Sequence, residues 1–159
     1  MKEVNILDFE TINEVNGYLV RIFNEIMQIE EESLRNSAFM DLTIKEMHTI
    51  EAIGLVELPT SNEVAKKLSV TAGTLSVSIQ NLVKKGYVER LNQPNDRRVV
   101  RLNLTKKGRL VYRLHHKFHT DMVKDTLTGL EREEAQVLIK GLRNLNQFLD
   151  NVKNRMNEG

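Results

Sequence analysis

The sequence predicts a mainly helical protein that carries one small antiparallel β-hairpin. Six stretches have the apolar spacing or the capping residues of α-helices, while residues 87–104 alternate apolar and polar side chains around a polar turn. A hydrophobic content of 40% in 159 residues is enough to form an ordinary core. We therefore expect a single folded protomer that spans residues 1–159.

The first two predicted helices differ in length and in the signals that define them. Apolar residues recur between Ile12 and Ile29 at positions 12, 15, 19, 22, 23, 26 and 29, the spacing of one face of a long helix. The next helix begins at Thr43, which forms a capping box with Glu46 three residues later. Gly54 is expected to end this helix.

Two short helices follow, joined by the segment "LSVT" at residues 68–71. The first opens at Thr60 or Ser61, and the second runs from about Thr71 to Lys85 and ends at Gly86. Their lengths and their polar connection are typical of a helix-turn-helix.

The predicted hairpin has the strands "YVERL" and "RVVRLNL" on either side of the turn "NQPND". In the second strand Val100, Leu102 and Leu104 alternate with Val99, Arg101 and Asn103, so one face is mostly apolar. Two adjacent arginines leave the turn. A hairpin that follows a helix-turn-helix predicts a wing, and we assign residues 43–104 to this winged region.

Two long helices complete the chain. The first begins near Thr105 and carries on one side Leu110, Leu114, Phe118, Met122 and Val123, while the last carries Leu138, Leu142, Leu145, Leu149 and Val152. A small winged domain cannot bury the apolar stripes of the first and last helices. We therefore expect a two-fold homodimer, with residues 9–35 and 105–153 as dimerisation helices.

The net charge of +1 conceals a strong separation of basic from acidic residues along the chain. Residues 61–120 hold 13 lysines and arginines against three acidic residues, for a net charge of +10, and the remainder of the chain carries −9. Such a distribution favours a polyanion-binding middle between acidic or neutral flanks.

Several classes of protein are excluded or disfavoured by the sequence. The absence of cysteine excludes disulfides, thiolate metal sites and thiol redox sensing. Walker loops, H-E-x-x-H and G-x-S-x-G are missing, and the adjacent Glu30, Glu31 and Glu32 splay around a helix, so we expect no enzyme and no cofactor. Without a signal-peptide pattern or an apolar run of roughly 20 residues, we expect a cytoplasmic protein with no membrane contact.

The helix after "LSVT" has the composition of a DNA-reading helix. Its apolar side carries Leu75, Ile79 and Leu82, and the rest is rich in small hydroxyls and amides that suit base edges and phosphates. The candidate DNA contacts on it are Thr71, Gly73, Thr74, Ser76, Val77, Gln80, Asn81 and Lys84. A solvent-facing helix that happens to be low in charge is the alternative.

The stretch "LSVTAGTLSVSIQNLVKKGYVERLNQPNDRRVVRLNLTKKG" resembles the winged helix-turn-helix of the MarR family of bacterial transcriptional regulators, and the helix order extends the resemblance over nearly the whole chain. It implies a homodimeric repressor on a pseudo-palindromic double-stranded DNA operator. It also implies that Arg98 enters the minor groove, that Asp96 fixes its geometry and that Arg97 contacts phosphate. A narrow A·T minor groove attracts such a guanidinium.

The stretches "LTIKEMHTIEAIG", "DRRVV", "LTKKGRL" and "RLHHKFHTDMV" are similar to the branch of this family that represses fatty-acid-synthesis genes in streptococci. This resemblance implies acyl-acyl carrier protein as co-repressor. An acidic carrier needs a basic surface, for which the candidates are Lys106, Lys107, Arg109, Arg113 and Lys117. An acyl chain needs an apolar channel, for which the candidates are Met47, His48, Ile50, Leu114, His115 and Phe118. Any one of these residues can instead serve only the DNA, the solvent or the core.

The histidines leave an alternative open. His115 and His119 share a helix face at a spacing that can bind zinc, and His48 is a third candidate ligand. Some relatives sense zinc through histidines on these helices. We prefer a role beside the ligand channel, with no metal, and a small aromatic effector also stays open. The alternative of another class is a helical adaptor dimer that does not bind DNA.

Overall fold

A computed structural model describes residues 8–96 and 98–157. In chain order the helices and strands are α1 (Phe9–Arg35), α2 (Ile44–Ile53), α3 (Ser61–Leu68), α4 (Ala72–Lys84), β1 (Val88–Asn92), β2 (Val100–Leu104), α5 (Lys106–Leu127) and α6 (Arg132–Asn157). The mainly helical class with one small hairpin is confirmed. Within the described residues, no helix has both the length and the apolar character needed to cross a bilayer.

The chain divides into two compact units, Met1–His115 and His116–Gly159. The first unit contains the winged helix-turn-helix, built around a core to which α2, α3, α4 and both strands contribute. Its fully buried side chains are Ile50, Val64, Leu75, Ile79, Leu82, Tyr87, Val88, Leu102 and Leu104. Among them, Leu75, Ile79 and Leu82 on α4 and Leu102 and Leu104 on β2 are positions that the helical and alternating patterns predicted to be apolar faces.

The ends of the short helices follow the predicted signals. Thr43 and Glu46 form the expected capping box, in which the Glu46 N–H donates to Thr43 Oγ1 at 3.2 Å and the Thr43 N–H donates to Glu46 Oε2 at 2.9 Å. A second capping box joins Thr60 and Glu63, which identifies Thr60 rather than Ser61 as the cap of α3. At the start of each helix, two backbone N–H groups that have no acceptor within the helix are thereby hydrogen-bonded.

The residues directly before α3 hold the hairpin against the helix-turn-helix. The Leu102 N–H donates to the Pro59 carbonyl at 2.8 Å, and Thr60 forms an isolated bridge with Arg101. The Arg101 guanidinium also lies 3.3 Å from Glu63 Oε2 at the start of α3. The free edge of β2 is therefore paired, which fixes the wing relative to α3.

The long helices leave apolar surface exposed. On α1 the predicted stripe is solvent-accessible at Ile12, Val15, Leu19, Ile22 and Phe23. In the second unit, α6 has no buried residue and exposes Leu142 and Leu149. Exposed apolar stripes of this kind are what the prediction of a second copy requires.

Candidate nucleic-acid interface

Helix α4 is anchored by its apolar side. Leu75, Ile79 and Leu82 are each at most 1% exposed. At the start of the helix Thr71 is the cap, and its hydroxyl oxygen accepts the Thr74 N–H at 3.2 Å. Because three residues on one side are buried in the core, the opposite side must face outward.

All eight candidate DNA contacts of α4 lie on exposed positions. Val77 is 60% exposed, an unusual position for a β-branched apolar residue on a helix whose other side already packs in the core. The other seven are small, hydroxylated, amide-bearing or basic: Thr71, Gly73, Thr74, Ser76, Gln80, Asn81 and Lys84. The structure thus brings the predicted residues to an open surface, and their individual base contacts stay predictions.

Polar contacts fix α4 against α2. The hydroxyl groups of Thr49 and Ser78 hydrogen-bond at 3.1 Å. Just after α4, the Lys85 ammonium donates to Glu46 Oε2 at 2.7 Å and to the Asp41 carbonyl at 2.5 Å. Sequence reasoning missed these contacts, because the Lys85–Glu46 pair spans 39 residues and produces no local pattern.

The tip of the wing is shaped by Asp96. Its carboxylate accepts the backbone N–H of Arg98 at 2.9 Å, and its carbonyl accepts the Val99 N–H at 3.1 Å. Arg98 and Val99 therefore belong to the turn, and β2 starts at Val100, two residues later than the predicted strand. Asp96 restrains the Arg98 backbone, and Arg97 lies outside the described residues.

The basic residues at the start of α5 fall into two groups. Lys107 lies 4.0 Å from the centre of the Tyr87 ring and 3.8 Å from Asp41 Oδ2, and Arg109 donates to the Leu104 carbonyl and to Asn103 Oδ1, each at 3.2 Å. Lys106 and Arg113 are exposed. In the second unit, Lys117 pairs with Asp121 on the same helix.

Tyr87 is the buried residue that stabilises the region around the start of α5. It is fully buried, and its hydroxyl donates to Asp41 Oδ1 at 2.6 Å. Burial raises the pKa of Tyr87, and the hydrogen bond to Asp41 raises it further. The same hydrogen bond lowers the pKa of Asp41. Tyr87 therefore stays a neutral donor that ties the start of β1 to the loop before α2.

The candidate channel residues lie in different surroundings. Met47 and Ile50 belong to the core of the first unit, whereas Leu114 is 53% exposed, and Phe118 is part of the second unit. His48 also lines an open groove of about 440 Å³ between α2 and α4, together with Thr49, Leu68, Val70, Val77 and Ser78. The channel therefore remains a prediction.

His48 and His115 meet at a buried carboxylate. The Nε2 atoms of His115 and His48 lie 3.0 and 3.3 Å from the two oxygens of Glu30, and Nδ1 of His115 lies 2.5 Å from Glu51 Oε2. Glu30 is only 4% exposed. Burial lowers the pKa of His115, but its hydrogen bonds to Glu51 and Glu30 outweigh burial, so the pKa lies above the ordinary 6.5.

This shift predicts that the stabilising effect of His115 depends on pH. A group whose pKa is raised on folding contributes fully below its unfolded value, about 6.5 here, and its contribution is lost as pH rises through the folded pKa. In urea unfolding with a chelator, the stability gap between wild type and His115→Gln should therefore be largest near pH 6 and shrink toward alkaline pH. Exposed His116→Gln is the control, and a gap that widens with pH contradicts the assignment.

Comparison with known proteins agrees with this geometry. A model of the MarR family matches residues 40–99. The multiple antibiotic resistance protein MarR of Escherichia coli is 30% identical over 131 residues, which cover 78% of this chain and 88% of that protein. The crystal structure of Streptococcus pneumoniae FabT in complex with DNA is 51% identical, has a TM-score of 0.78, and covers 91% of this chain and 99% of FabT. The reduced form of E. coli MarR has a TM-score of 0.59 at 27% identity, covering 89% and 98% of the two chains.

Proposed function

This chain belongs to the MarR family of DNA-binding transcriptional regulators, and from this premise we propose that it is a homodimeric repressor of fatty-acid-synthesis genes with acyl-acyl carrier protein as co-repressor. The observation that carries the proposal is the 51% identity with S. pneumoniae FabT across 91% of the chain. The proposal implies a cytoplasmic location, since the operator lies there.

The first unit supports the mode of DNA binding. The exposed side of α4 has the size and polarity to enter a major groove, and the turn held by Asp96 would direct Arg98 toward the adjacent minor groove. A two-fold dimer places two such units on half-sites about one helical turn apart, which fits a pseudo-palindromic operator. The exposed stripes of α1 and α6 are the surfaces that a second copy would cover.

The family and the similar proteins are transcriptional regulators, not enzymes. This agrees with the absence of catalytic motifs from the sequence and favours a DNA-binding regulator over a helical adaptor dimer. A small aromatic effector remains an alternative ligand. The open groove beside α4 is large enough for one, at about 440 Å³.

The co-repressor would contact the outer side of α5. Lys106 and Arg113 are seven residues apart, which places them on one face of the helix two turns apart, and both are exposed. Lys107 and Arg109 already hold the start of α5 to Asp41 and to β2. Lys106 and Arg113 are therefore the residues at which reversal of charge disturbs an acidic carrier with the least effect on the fold.

The acyl chain would have to enter between the helices of the first unit. Leu114 offers exposed apolar surface beside His115, and Met47 and Ile50 are the apolar core residues of α2. Both side chains are packed in the core, so entry of an acyl chain requires them to move. We propose that this rearrangement is how the acylated carrier differs from the bare carrier in its effect on α4.

The variant Lys106→Glu with Arg113→Glu is expected to lose its response to the acylated carrier. The measurement is the operator dissociation constant by fluorescence anisotropy, taken for each variant with acylated and with bare carrier. In wild type the acylated carrier should tighten binding, and in the double variant the two carriers should give the same affinity, because reversed charges repel the carrier.

Lys124→Glu with Lys140→Glu is the matched control, since it reverses two exposed charges in the second unit. The control should respond to the acylated carrier as wild type does. A full response in the Lys106→Glu, Arg113→Glu variant would contradict the proposal that the carrier protein binds at these two residues.

A further inference from the structure

The loop between α2 and α3, residues 54–60, lies beside the wing with part of its backbone under strain. Leu58 has a φ of 43°, in the left-handed region that bulky side chains rarely adopt. A strained conformation of this kind persists only where the surrounding contacts hold it in place. The contacts of Leu58 and its neighbours therefore indicate what this loop is arranged to do.

The loop is joined to β2 through the backbone and through one arginine side chain. The Leu102 N–H donates to the Pro59 carbonyl at 2.8 Å. The Arg101 guanidinium donates from Nη1 to the Leu58 carbonyl at 3.5 Å, and the same nitrogen lies 3.3 Å from Glu63 Oε2. Arg101 thus links the wing both to the strained residue and to the first turn of α3.

Glu63 is a well-fixed partner for Arg101. Its Oε2 atom accepts the Thr60 N–H at 2.7 Å and the Thr60 hydroxyl at 3.0 Å, as part of the capping box of α3. The hydrogen bonds from Thr60, and then the charge of Arg101, lower the pKa of Glu63, so its carboxylate is ionised at neutral pH. An exposed ion pair loses much of its value to the entropy of two mobile side chains, and here the cap already holds one of them.

A cleft separates the wing from the helices beside this contact. Its volume is about 270 Å³, and Glu57, Val64 and Lys67 line it together with Glu63 and Arg101. Because side chains do not fill this space, the backbone hydrogen bond of β2 does not by itself prevent the hairpin from tilting toward α3. The Arg101–Glu63 contact ties the two sides of the cleft together and restrains that tilt.

The strand that carries Arg101 leads directly from the wing tip. Arg98 is three residues earlier, and the Val99 N–H between them is bonded to the Asp96 carbonyl. A tilt of β2 therefore moves the tip and Arg98 with it. The minor groove is only about 6 Å wide in ordinary B-DNA and narrower in A·T tracts, so insertion of a guanidinium depends on where the tip lies.

We propose that Arg101 is a positioning residue that sets the tilt of the wing through Glu63 and the loop before α3, and that it thereby determines how strongly the protein prefers A·T pairs beneath the wing. This inference rests on the proposed minor-groove role of Arg98. Arg101 acts through its contacts within the protein and is not itself a phosphate contact.

The proposal predicts an effect opposite in sign to that of simple electrostatics. Glu63→Gln removes a negative charge from a DNA-binding surface, which by itself should tighten binding to a polyanion, and glutamine still completes a capping box. We expect instead that Glu63→Gln and Arg101→Gln each weaken DNA binding by about 2–5-fold, since each breaks the same exposed ion pair. The double variant should bind no more weakly than Arg101→Gln, because one contact can be lost only once.

The measurement is fluorescence anisotropy of the intact protein on a DNA fragment that the protein itself selects from a random-sequence library. The test therefore does not depend on which genes are regulated. The selected core is kept, and the pairs beneath the wings are made either A·T or G·C. Wild type should bind the A·T fragment more tightly, and this preference should shrink in Arg101→Gln and in Glu63→Gln.

Glu57→Gln is the matched control, since it removes an exposed carboxylate from the same cleft. In the part of the chain that the structure describes, Glu57 is not an ion-pair partner of Arg101. This control should bind DNA at least as tightly as wild type and keep its A·T preference. Urea unfolding of each variant checks that it is folded.

Arg98→Ala, measured on the same two fragments, separates this proposal from the wing assignment on which it rests. An A·T preference that survives in Arg98→Ala would overturn both. If Arg98→Ala loses the preference, but Glu63→Gln binds more tightly than wild type or keeps the full preference, the wing assignment stands and the positioning role of Arg101 is overturned.

Discussion

Arg98→Ala should weaken operator binding by about 1–3 kcal/mol, the scale of a lost specific DNA contact. The Asp96 carboxylate holds the Arg98 backbone at the tip of the wing, and Arg98 is exposed there. A guanidinium inserted into a narrow A·T minor groove gains from the enhanced negative potential, and alanine forfeits that gain. Fluorescence anisotropy on a labelled operator measures the change.

Two comparisons separate this role from a general loss of charge. Asp96→Ala keeps the guanidinium but removes its hydrogen-bonded support, so it should weaken binding in the same direction by about 1 kcal/mol. Replacing the flanking A·T pairs of the operator with G·C pairs should shrink the difference between wild type and Arg98→Ala. Unchanged operator affinity in a folded Arg98→Ala dimer would contradict the assignment of Arg98 as the minor-groove contact of the wing.

Gly108→Ala should destabilise the fold by roughly 3 kcal/mol, at the upper end of the usual cost of overpacking. An added Cβ at Gly108 would lie 2.1 Å from the Tyr87 carbonyl oxygen and 3.3 Å from Leu104 Cβ. That carbonyl accepts the Thr105 N–H at 3.1 Å, so it cannot swing aside without breaking the junction of β2 and α5. Helix α5 would have to move away from the strands.

Urea unfolding at fixed protein concentration measures this effect, since the stability of a dimer depends on concentration. Gly17→Ala is the control. Gly17 lies in α1 opposite the apolar stripe, has nothing within 4 Å of an added Cβ, and should gain up to about 1 kcal/mol from the better helix propensity of alanine. Wild-type stability in Gly108→Ala would show that the junction is looser than described.

Local signals predicted the elements of this fold well. The capping box at Thr43, the stop at Gly54 and the alternation of β2 each depend on residues a few positions apart, and each is present. The exposed side of α4 was predictable for a related reason. Once Leu75, Ile79 and Leu82 define the buried side of α4, helix geometry determines which residues lie on the exposed side.

Contacts between distant positions could not be predicted in this way. The Lys85–Glu46 and Tyr87–Asp41 pairs join residues 39 and 46 positions apart, and the Leu102–Pro59 hydrogen bond depends on how the hairpin docks. Glu30 shows the same limit. The sequence predicted that Glu30, Glu31 and Glu32 splay around a helix, but it did not predict which of them is buried, and the helix directs Glu30 alone of the three into the protein. The family resemblance, not periodicity, pointed to the roles of the wing residues.

The most direct test of the proposed function is the affinity of the wild-type dimer for a fatty-acid-synthesis promoter fragment, measured by fluorescence anisotropy in chelator. The titration is run alone, with bare carrier protein and with long-chain acyl-acyl carrier protein. We predict specific binding that falls steeply with salt and tightens only with the acylated carrier. Equal affinity under all three conditions would contradict the proposed co-repressor, and affinity no better than for a scrambled fragment would contradict the proposed operator.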